Sequence, residues 1–182
     1  VCAVPLASGA TCGACLERPP AFDGIFAVLA YDFPVDALIH AFKYGGRLEL
    51  APALGEAFAA AGAPAADVLV PMPLAPRRLR ERGFNQALEL ARFVSRQHGI
   101  PILPGACRRV SDTPPQAALP WRERARNVRG AFVCDTALNG LRVAVVDDVV
   151  TTGATLNEIA RTLREVGAVS VVGWALARTL PR

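Results

Sequence analysis

The chain has 182 residues, 52% of them hydrophobic and 20% charged, which suffices for one well-cored domain with a small appendage. That apolar content excludes a disordered chain, and no apolar run reaches the roughly 18 residues needed to cross a bilayer as a helix. The net charge of +4 is modest, so the chain is not a polybasic or acidic tail.

The opening Val1-Cys2-Ala3-Val4-Pro5 lacks a basic stretch and is broken by Pro5, so a secretory signal is not expected and a cytoplasmic protein without membrane insertion is. Residues 1–20 are rich in Cys, Gly and Pro and end in Pro19-Pro20, which reads as a knuckle and a linker. Residues 24–33 have strand character. Pro34 starts a helix over 34–44 that Gly45-Gly46 stops, and a second helix follows over 48–61. Residues 67–72 (DVLVPM) read as a buried strand. A loop over 73–83 precedes a helix over 85–98, and residues 101–103 and 106–110 are short strands. Residues 111–127 carry three prolines and five charged side chains, which predicts a long loop of the kind that usually serves function. A short strand over 130–134 follows. Residues 142–146 (RVAVV) form, after Arg142, an apolar β-branched run of the sort found inside parallel sheets. A helix over 154–166 shows Leu156, Ile159, Ala160 and Leu163 on one stripe, Gly167 closes it, and a last strand covers 169–176. Strand, helix and strand of these lengths make a βαβ unit.

Charge is distributed unevenly: residues 76–129 hold twelve arginines against four acids, while the remainder is net acidic. Such a block suits an anionic partner, a polyphosphate or a nucleic acid, or else is a solvated face. Nineteen of the twenty basic residues are arginine, and Lys43, beside Gly45-Gly46, is the lone lysine, placed to reach a phosphate.

The densest chemistry lies at Val145-Val146-Asp147-Asp148-Val149-Val150-Thr151-Thr152-Gly153-Ala154-Thr155. Two carboxylates at the carboxyl end of a central parallel strand stand where open α/β sheets bind ligands. Small residues at the start of the next helix offer N–H groups and hydroxyls at the positive end of its dipole, which suits a phosphate. Together these features call for a ligand bearing a vicinal diol and a phosphate. The alternative has the threonines as ordinary helix caps and the acids as solvated loop residues.

This segment resembles the type I phosphoribosyltransferase signature of two apolar residues, Asp-Asp, a short spacer and Thr-Gly-x-Thr. The resemblance implies that fold, a twisted and mostly parallel α/β sheet with helices on both faces. It also implies Asp147 and Asp148 on the ribose hydroxyls of phosphoribosyl pyrophosphate with Mg²⁺ nearby, and Val149 to Thr155, through Val150, Thr151, Thr152, Gly153 and Ala154, around the 5′-phosphate. Phe42-Lys43-Tyr44-Gly45-Gly46, Val70-Pro71-Met72-Pro73-Leu74, Arg82-Gly83-Phe84-Asn85-Gln86, Gln116 with Arg124 and Asn127-Val128, and Ala177-Arg178 are similar to the ComF/GntX competence-related family, over essentially the whole chain. Under that likeness Met72, Pro73 and Leu74 form a pyrophosphate loop with Arg77 and Arg78 as its cations, Arg109, Gln116 and Arg124 serve catalysis on a flexible loop, and Trp121 is a stacking face or a hydrophobic clasp. Partners implied are phosphoribosyl pyrophosphate, single-stranded DNA or competence proteins, and a second copy of the chain.

Cys12-Gly13-Ala14-Cys15 is half of a zinc ribbon, with Cys2 as a third Zn²⁺ ligand; a redox pair is the competing reading. The family pattern puts a fourth ligand three residues before Cys2, so the sequence is expected to begin inside a partial zinc-ribbon-like knuckle (1–20) ahead of a phosphoribosyltransferase-like domain (21–182). Cys107 and Cys134 read as small buried hydrophobes. A glutaminase domain ahead of Val1 is not expected, so glutamine-derived ammonia is not the expected nucleophile and the acceptor is open. A phosphoribosyltransferase, a non-catalytic module that senses phosphoribosyl pyrophosphate or binds DNA or protein, and an unrelated doubly wound phosphate binder are the three readings.

Overall fold

A computed structural model describes residues 1–5, 11–62, 65–110 and 128–180. Among these residues the order of elements is α1 (Gly13–Glu17), β1 (Gly24–Ala30), α2 (Val35–Tyr44), a 3₁₀ turn (Leu48–Leu50), α3 (Ala51–Ala60), β2 (Val68–Pro71), α4 (Pro76–Arg82), α5 (Gln86–His98), β3 (Cys107–Arg109), β4 (Phe132–Cys134), β5 (Arg142–Val150), α6 (Ala154–Glu165) and β6 (Ser170–Arg178). The main sheet runs β1-β6-β5-β2 with every pair parallel, and β3 and β4 form a separate antiparallel pair.

The two central strands explain why helices cover both faces. Val143, Ala144, Val145 and Val146 of β5 are all 0% exposed, and since successive side chains alternate faces, each face needs its own apolar cover. Val143 and Val145 pack with Leu156, Ile159, Ala160 and Leu163 of α6. Ala144 and Val146 pack with Ile39 and Phe42 of α2, Leu54 and Phe58 of α3, and Leu90 and Val94 of α5. The stripe expected on the last helix is thus its core face. A side chain on Gly173 of β6 would run into Leu156, so the absence of one lets the first turn of α6 lie close on the sheet.

Four details depart from the sequence expectations. The strand expected over 142–146 continues to Val150, and β6 to Arg178, because the two keep pairing through Asp147↔Ala175 and Val150↔Arg178. The segment expected as a loop over 73–83 contains α4, started by Pro76 at its first position and stopped by Gly83 in the left-handed conformation at φ 78°. Residues 101–103 contribute only a single bridge, Leu69 to Ile102. Cys107 and Cys134 are buried in the core as expected, but not separately: they stand opposite each other across β3 and β4 and are joined as a disulfide.

Among the described residues no helix is long and apolar enough to cross a membrane. Leu163, fully buried between α6 and the sheet, should cost about 2–5 kcal/mol when changed to Ala. Urea unfolding measures this, and a loss under about 1 kcal/mol would mean that α6 is not seated on the core.

Candidate functional site

Register determines what surrounds the acidic pair. Pro71 of β2 lies opposite Val146 of β5, and Met72 N–H extends the ladder by donating to the Val146 carbonyl at 2.8 Å. The chain therefore leaves β2 beside Asp147, and Met72, Pro73 and Leu74 form the loop at that edge. Asn85 holds the loop from behind: its Nδ2 donates to the Met72 carbonyl at 3.1 Å, while its Oδ1 caps α5 by accepting from Ala87 N–H at 3.0 Å.

The two aspartates face opposite sides of the sheet and meet different partners. Asp148, 2% exposed, turns to the α2 face, where Lys43 Nζ stands 2.6 Å from its Oδ2. That ionic contact is off the hydrogen-bonding axis, so Oδ2 has no hydrogen-bond partner among the described residues. The other oxygen of Asp148 accepts from Val149 N–H at 2.9 Å. Asp147 turns to the α6 face, accepts from Asp148 N–H at 2.9 Å, and shares one small cavity with residues 149–156.

Burial pushes the Asp147 carboxyl up to about 6, against the pull of Lys43, Arg109 and Arg82. Burial likewise depresses Lys43 to about 8; Asp147 opposes that shift, and Arg82 and Arg78 add to it. Cations from three elements thus act on Asp147, Lys43 from α2, Arg82 from α4 and Arg109 from β3, and Arg78 of α4 acts on Lys43. Arg109 lies over the Phe132 ring at 5.7 Å. Arg82 lies over Tyr44 at 4.8 Å and donates to Gln86 Oε1 at 2.9 Å.

The glycine of the Thr-Gly-x-Thr motif has a defined task. Gly153 is the N-cap of α6 at φ 78° and has no side chain with which to cap it. The space around it would accept a Cβ at ordinary contact distance from Phe22, so backbone conformation, not room, calls for glycine. Thr152 Oγ1 accepts from Ala154 N–H at 3.3 Å, and Asn157 N–H reaches the Gly153 carbonyl at 2.8 Å.

Of the two arginines expected at the pyrophosphate loop, Arg78 is near enough to Lys43 to act on its charge, whereas Arg77 is exposed and paired with Glu81 at 2.7 Å. Gln116, Trp121 and Arg124 lie outside the described residues. Arg82, Asn85 and Arg178 carry no assigned role in the sequence reading, although all three fall in segments it singles out. Arg178 donates to the carbonyls of Val150, Thr151 and Thr179. A wider groove lined by Leu48, Ala51, Arg92, Phe93 and Arg96 lies over α3 and α5 and holds no paired carboxylates.

The carboxylates fit Mg²⁺ as Mg²⁺ is usually held, by one or two acids together with substrate phosphates and water; Asp148 Oδ2, in ionic contact with Lys43 but without a hydrogen-bond partner among the described residues, is a hard donor of the right kind. At the other end of the chain the sulfurs of Cys2, Cys12 and Cys15 lie within 4.8 Å of one another. Hydrogen bonding, first from the Cys15 backbone and then from Cys2, draws the Cys12 thiol down to about 7, whereas burial and then the neighbouring sulfurs push Cys15 up to about 12. Three thiolates so close repel unless a soft cation joins them, so the set can hold a metal ion and fits zinc.

Because burial favours the neutral carboxyl, folded Asp147 keeps its proton to about pH 6, while its ordinary value is 3.8. The folded state therefore binds more protons than the unfolded chain in that window, and ionisation erodes stability as pH rises from about 4 to 6. Asp147→Asn, which stays neutral, should gain on wild type across this range in thermal melts. A difference between the two proteins that stays level with pH would show the carboxyl to be solvated.

No protein-family model matches the chain, but curated relatives do. It is 38% identical over 177 residues to DNA utilization protein YhgH of Escherichia coli K12, covering 93% of this chain and 78% of that one. It is 35% identical to Competence protein F of Haemophilus influenzae, covering 92% and 78%. Competence protein ComFC of Bacillus subtilis is 30% identical, covering 84% of this chain and 63% of that one. Among solved structures, the glutamine phosphoribosylpyrophosphate amidotransferase of B. subtilis with ADP and GMP matches with a TM-score of 0.50 at 23% identity, over 73% of this chain and 30% of the other. Likeness that runs nearly end to end with the YhgH and competence F proteins, on a sheet shared with phosphoribosyltransferases, shows that this chain belongs to the ComF family and has the type I phosphoribosyltransferase fold.

Proposed function

We propose that this protein binds Mg²⁺-phosphoribosyl pyrophosphate over the carboxyl end of β5 and transfers the phosphoribosyl group to an acceptor with release of pyrophosphate, in the cytoplasm and in the service of DNA uptake. The observation that carries this reading is the juxtaposition of Asp147, half-buried and drawn on by three cations, with the Gly153-capped start of α6 in one cavity. The names of the relatives, which speak of DNA utilization and competence, support the setting.

In this reading Asp147 and Asp148 accept hydrogen bonds from the ribose hydroxyls, and the first amides of α6 with Thr151 and Thr152 take the 5′-phosphate. Mg²⁺, held with the ligand by the two aspartates, would neutralise charge on the pyrophosphate. Lys43, Arg78 and Arg82, which lie within electrostatic reach of one another, are assigned to the pyrophosphate together with the Met72-Pro73-Leu74 loop, and their charge stabilises the leaving group as the C1–O bond breaks and its electron pair passes to the pyrophosphate oxygen. The acceptor then bonds to C1 and gives up its proton. Arg109, with Gln116 and Arg124 from the segment between β3 and β4, would cover the reacting centre and exclude water. Zinc at Cys2, Cys12 and Cys15 is assigned a structural role.

The ion pair between Lys43 and Asp148 favours a second reading, a module that senses the ligand without turnover, since one ribose carboxylate is already paired when the site is empty of ligand. Calorimetric titration with phosphoribosyl pyrophosphate, with and without Mg²⁺, and a pyrophosphate-release assay across acceptors separate the two. Binding should require Mg²⁺ and fall at least about tenfold in Asp147→Ala and Asp148→Ala, since each removes a charged hydrogen-bond acceptor. Release without these losses would sink the site, and tight binding without release would leave the sensing module.

The pH dependence follows from Asp147. Its carboxylate form is the one that accepts the ligand, so affinity should weaken roughly tenfold per unit below about pH 6, and it should be level from there until Lys43 loses its proton at about 8. Asp147→Asn should lack that inflection in the same titrations, whatever its remaining affinity.

A further inference from the structure

The last residue of β6 is a buried arginine that the proposed chemistry does not use. Arg178 is 6% exposed, and a guanidinium cannot shed its charge inside a protein as a lysine can. Burial works against its protonated form, while Cys2, Cys12 and Cys15 favour it. Its Nε donates to the Cys2 carbonyl at 3.0 Å. Its Nη1 donates to the carbonyls of Val150 at 3.1 Å, Thr179 at 2.9 Å and Thr151. One side chain therefore joins the cysteine knuckle to the loop that opens on the Asp147 cavity.

Peptide geometry says what those bonds do. The peptides after Val150 and Thr151 are trans, and in a trans peptide the C=O and the following N–H point in opposite directions. With both carbonyls turned inward onto Arg178, the N–H groups of Thr151 and Thr152 are turned away from it. Those residues line the cavity that Asp147 shares.

The knuckle is fastened to the same region along a second path. Ile25 N–H donates to the Val1 carbonyl at 2.8 Å. Ala21 N–H donates to Asn157 Oδ1 of α6 at 2.7 Å, and Arg164 Nε donates to the Ala21 carbonyl at 2.7 Å. Phe22 lies against Gly153. A metal that fixes Cys2, Cys12 and Cys15 thus also fixes two supports of the phosphate loop.

We propose that Arg178 is a positioning residue which sets the Thr151 and Thr152 amides for a sugar phosphate and couples metal at the Cys2, Cys12 and Cys15 cluster to that binding. The inference rests on the reading of the cavity as a sugar-phosphate site. By linkage the coupling is reciprocal: metal tightens the sugar phosphate, and the sugar phosphate tightens the metal by the same factor.

Calorimetry on the full chain tests it, with ribose 5-phosphate and inorganic pyrophosphate, each with Mg²⁺, as separate probes, before and after stripping with a zinc chelator. Arg178→Gln should lose about tenfold to a hundredfold in ribose 5-phosphate affinity, the range for a charged hydrogen bond. Its pyrophosphate affinity should stay within about threefold of wild type, because the Met72-Pro73-Leu74 loop is held by Asn85 instead. Zinc-loaded wild type should bind ribose 5-phosphate more tightly than stripped protein, Arg178→Gln should show no such difference, and Arg178→Lys should recover part of the affinity. Equal loss for both probes, or no loss, overturns the positioning role. If Arg178→Gln does not fold, stripped wild type decides: unchanged ribose 5-phosphate affinity with an unchanged circular dichroism spectrum overturns the coupling. Wild type that ignores ribose 5-phosphate altogether removes the site reading and this inference with it.

Discussion

Two neighbouring carboxylates on a strand buried on both faces are the constraint around which the rest of this molecule is arranged. Moving an ionised acid out of water costs several kcal/mol unless charge and hydrogen bonds compensate it. Here the compensation arrives from separate elements. Lys43 of α2 meets Asp148, while the charges of Lys43, Arg109 and Arg82 act on Asp147 and still leave its carboxyl raised. Each acid also accepts from the next amide of its own strand. The compensation is partial, which separates a binding site from a structural ion pair: one Asp148 oxygen keeps an unspent lone pair among the described residues.

The sheet determines where that partial compensation lies. In a parallel sheet every strand delivers its loop to the same end. The offsets Pro71↔Val146 and Arg178↔Val150 bring the loop after β2 to one flank of the acids and the end of β6 to the other. Charged groups stand at the ends of these pairings, Arg142 with Asp67 at one and Arg178 with the Val150 carbonyl at the other, but the strands between are mainly apolar. The length of each pairing is carried by residues on β2, β5 and β6 that are nearly inaccessible to solvent. A slip of one residue would move every side chain to the opposite face, so the hydrophobic pattern that builds the core also aims the polar groups.

What could be read from the sequence was local. The apolar run of β5, the stripe of α6 with its Gly167 stop, and the Asp-Asp and Thr-Gly-x-Thr spacing follow from near neighbours in the chain. The continuation of β5 through its aspartates did not, because Asp is a poor strand former and only pairing with β6 keeps it extended. Helix α4 buries no residue, so it has no apolar stripe, although Pro76 and Gly83 mark its ends. Had it been read as a helix, four-residue spacing would have put Arg78 with Arg82 on one side and Arg77 with Glu81 on another, the division the structure displays. The Cys107 to Cys134 pairing and the bonds of Arg178 join residues far apart in sequence, and no local pattern encodes them.

The choice of lysine at position 43 is informative in a chain whose other nineteen basic residues are arginine. An arginine facing Asp148 would offer a planar fork, bind both carboxylate oxygens and keep its charge at any pH the protein meets. Lysine presents a point charge on a flexible stem, and here burial has already drawn it down to about 8. Its contact with Asp148 is a single ionic approach without hydrogen-bond alignment. A ligand diol that supplies aligned donors competes with that contact far more easily than with a bidentate arginine pair. The freed ammonium stays near Arg78 and Arg82, where an anion is the partner that relieves their mutual repulsion. The same residue thus compensates the acid while no ligand is bound and is placed to compensate a phosphate once one is.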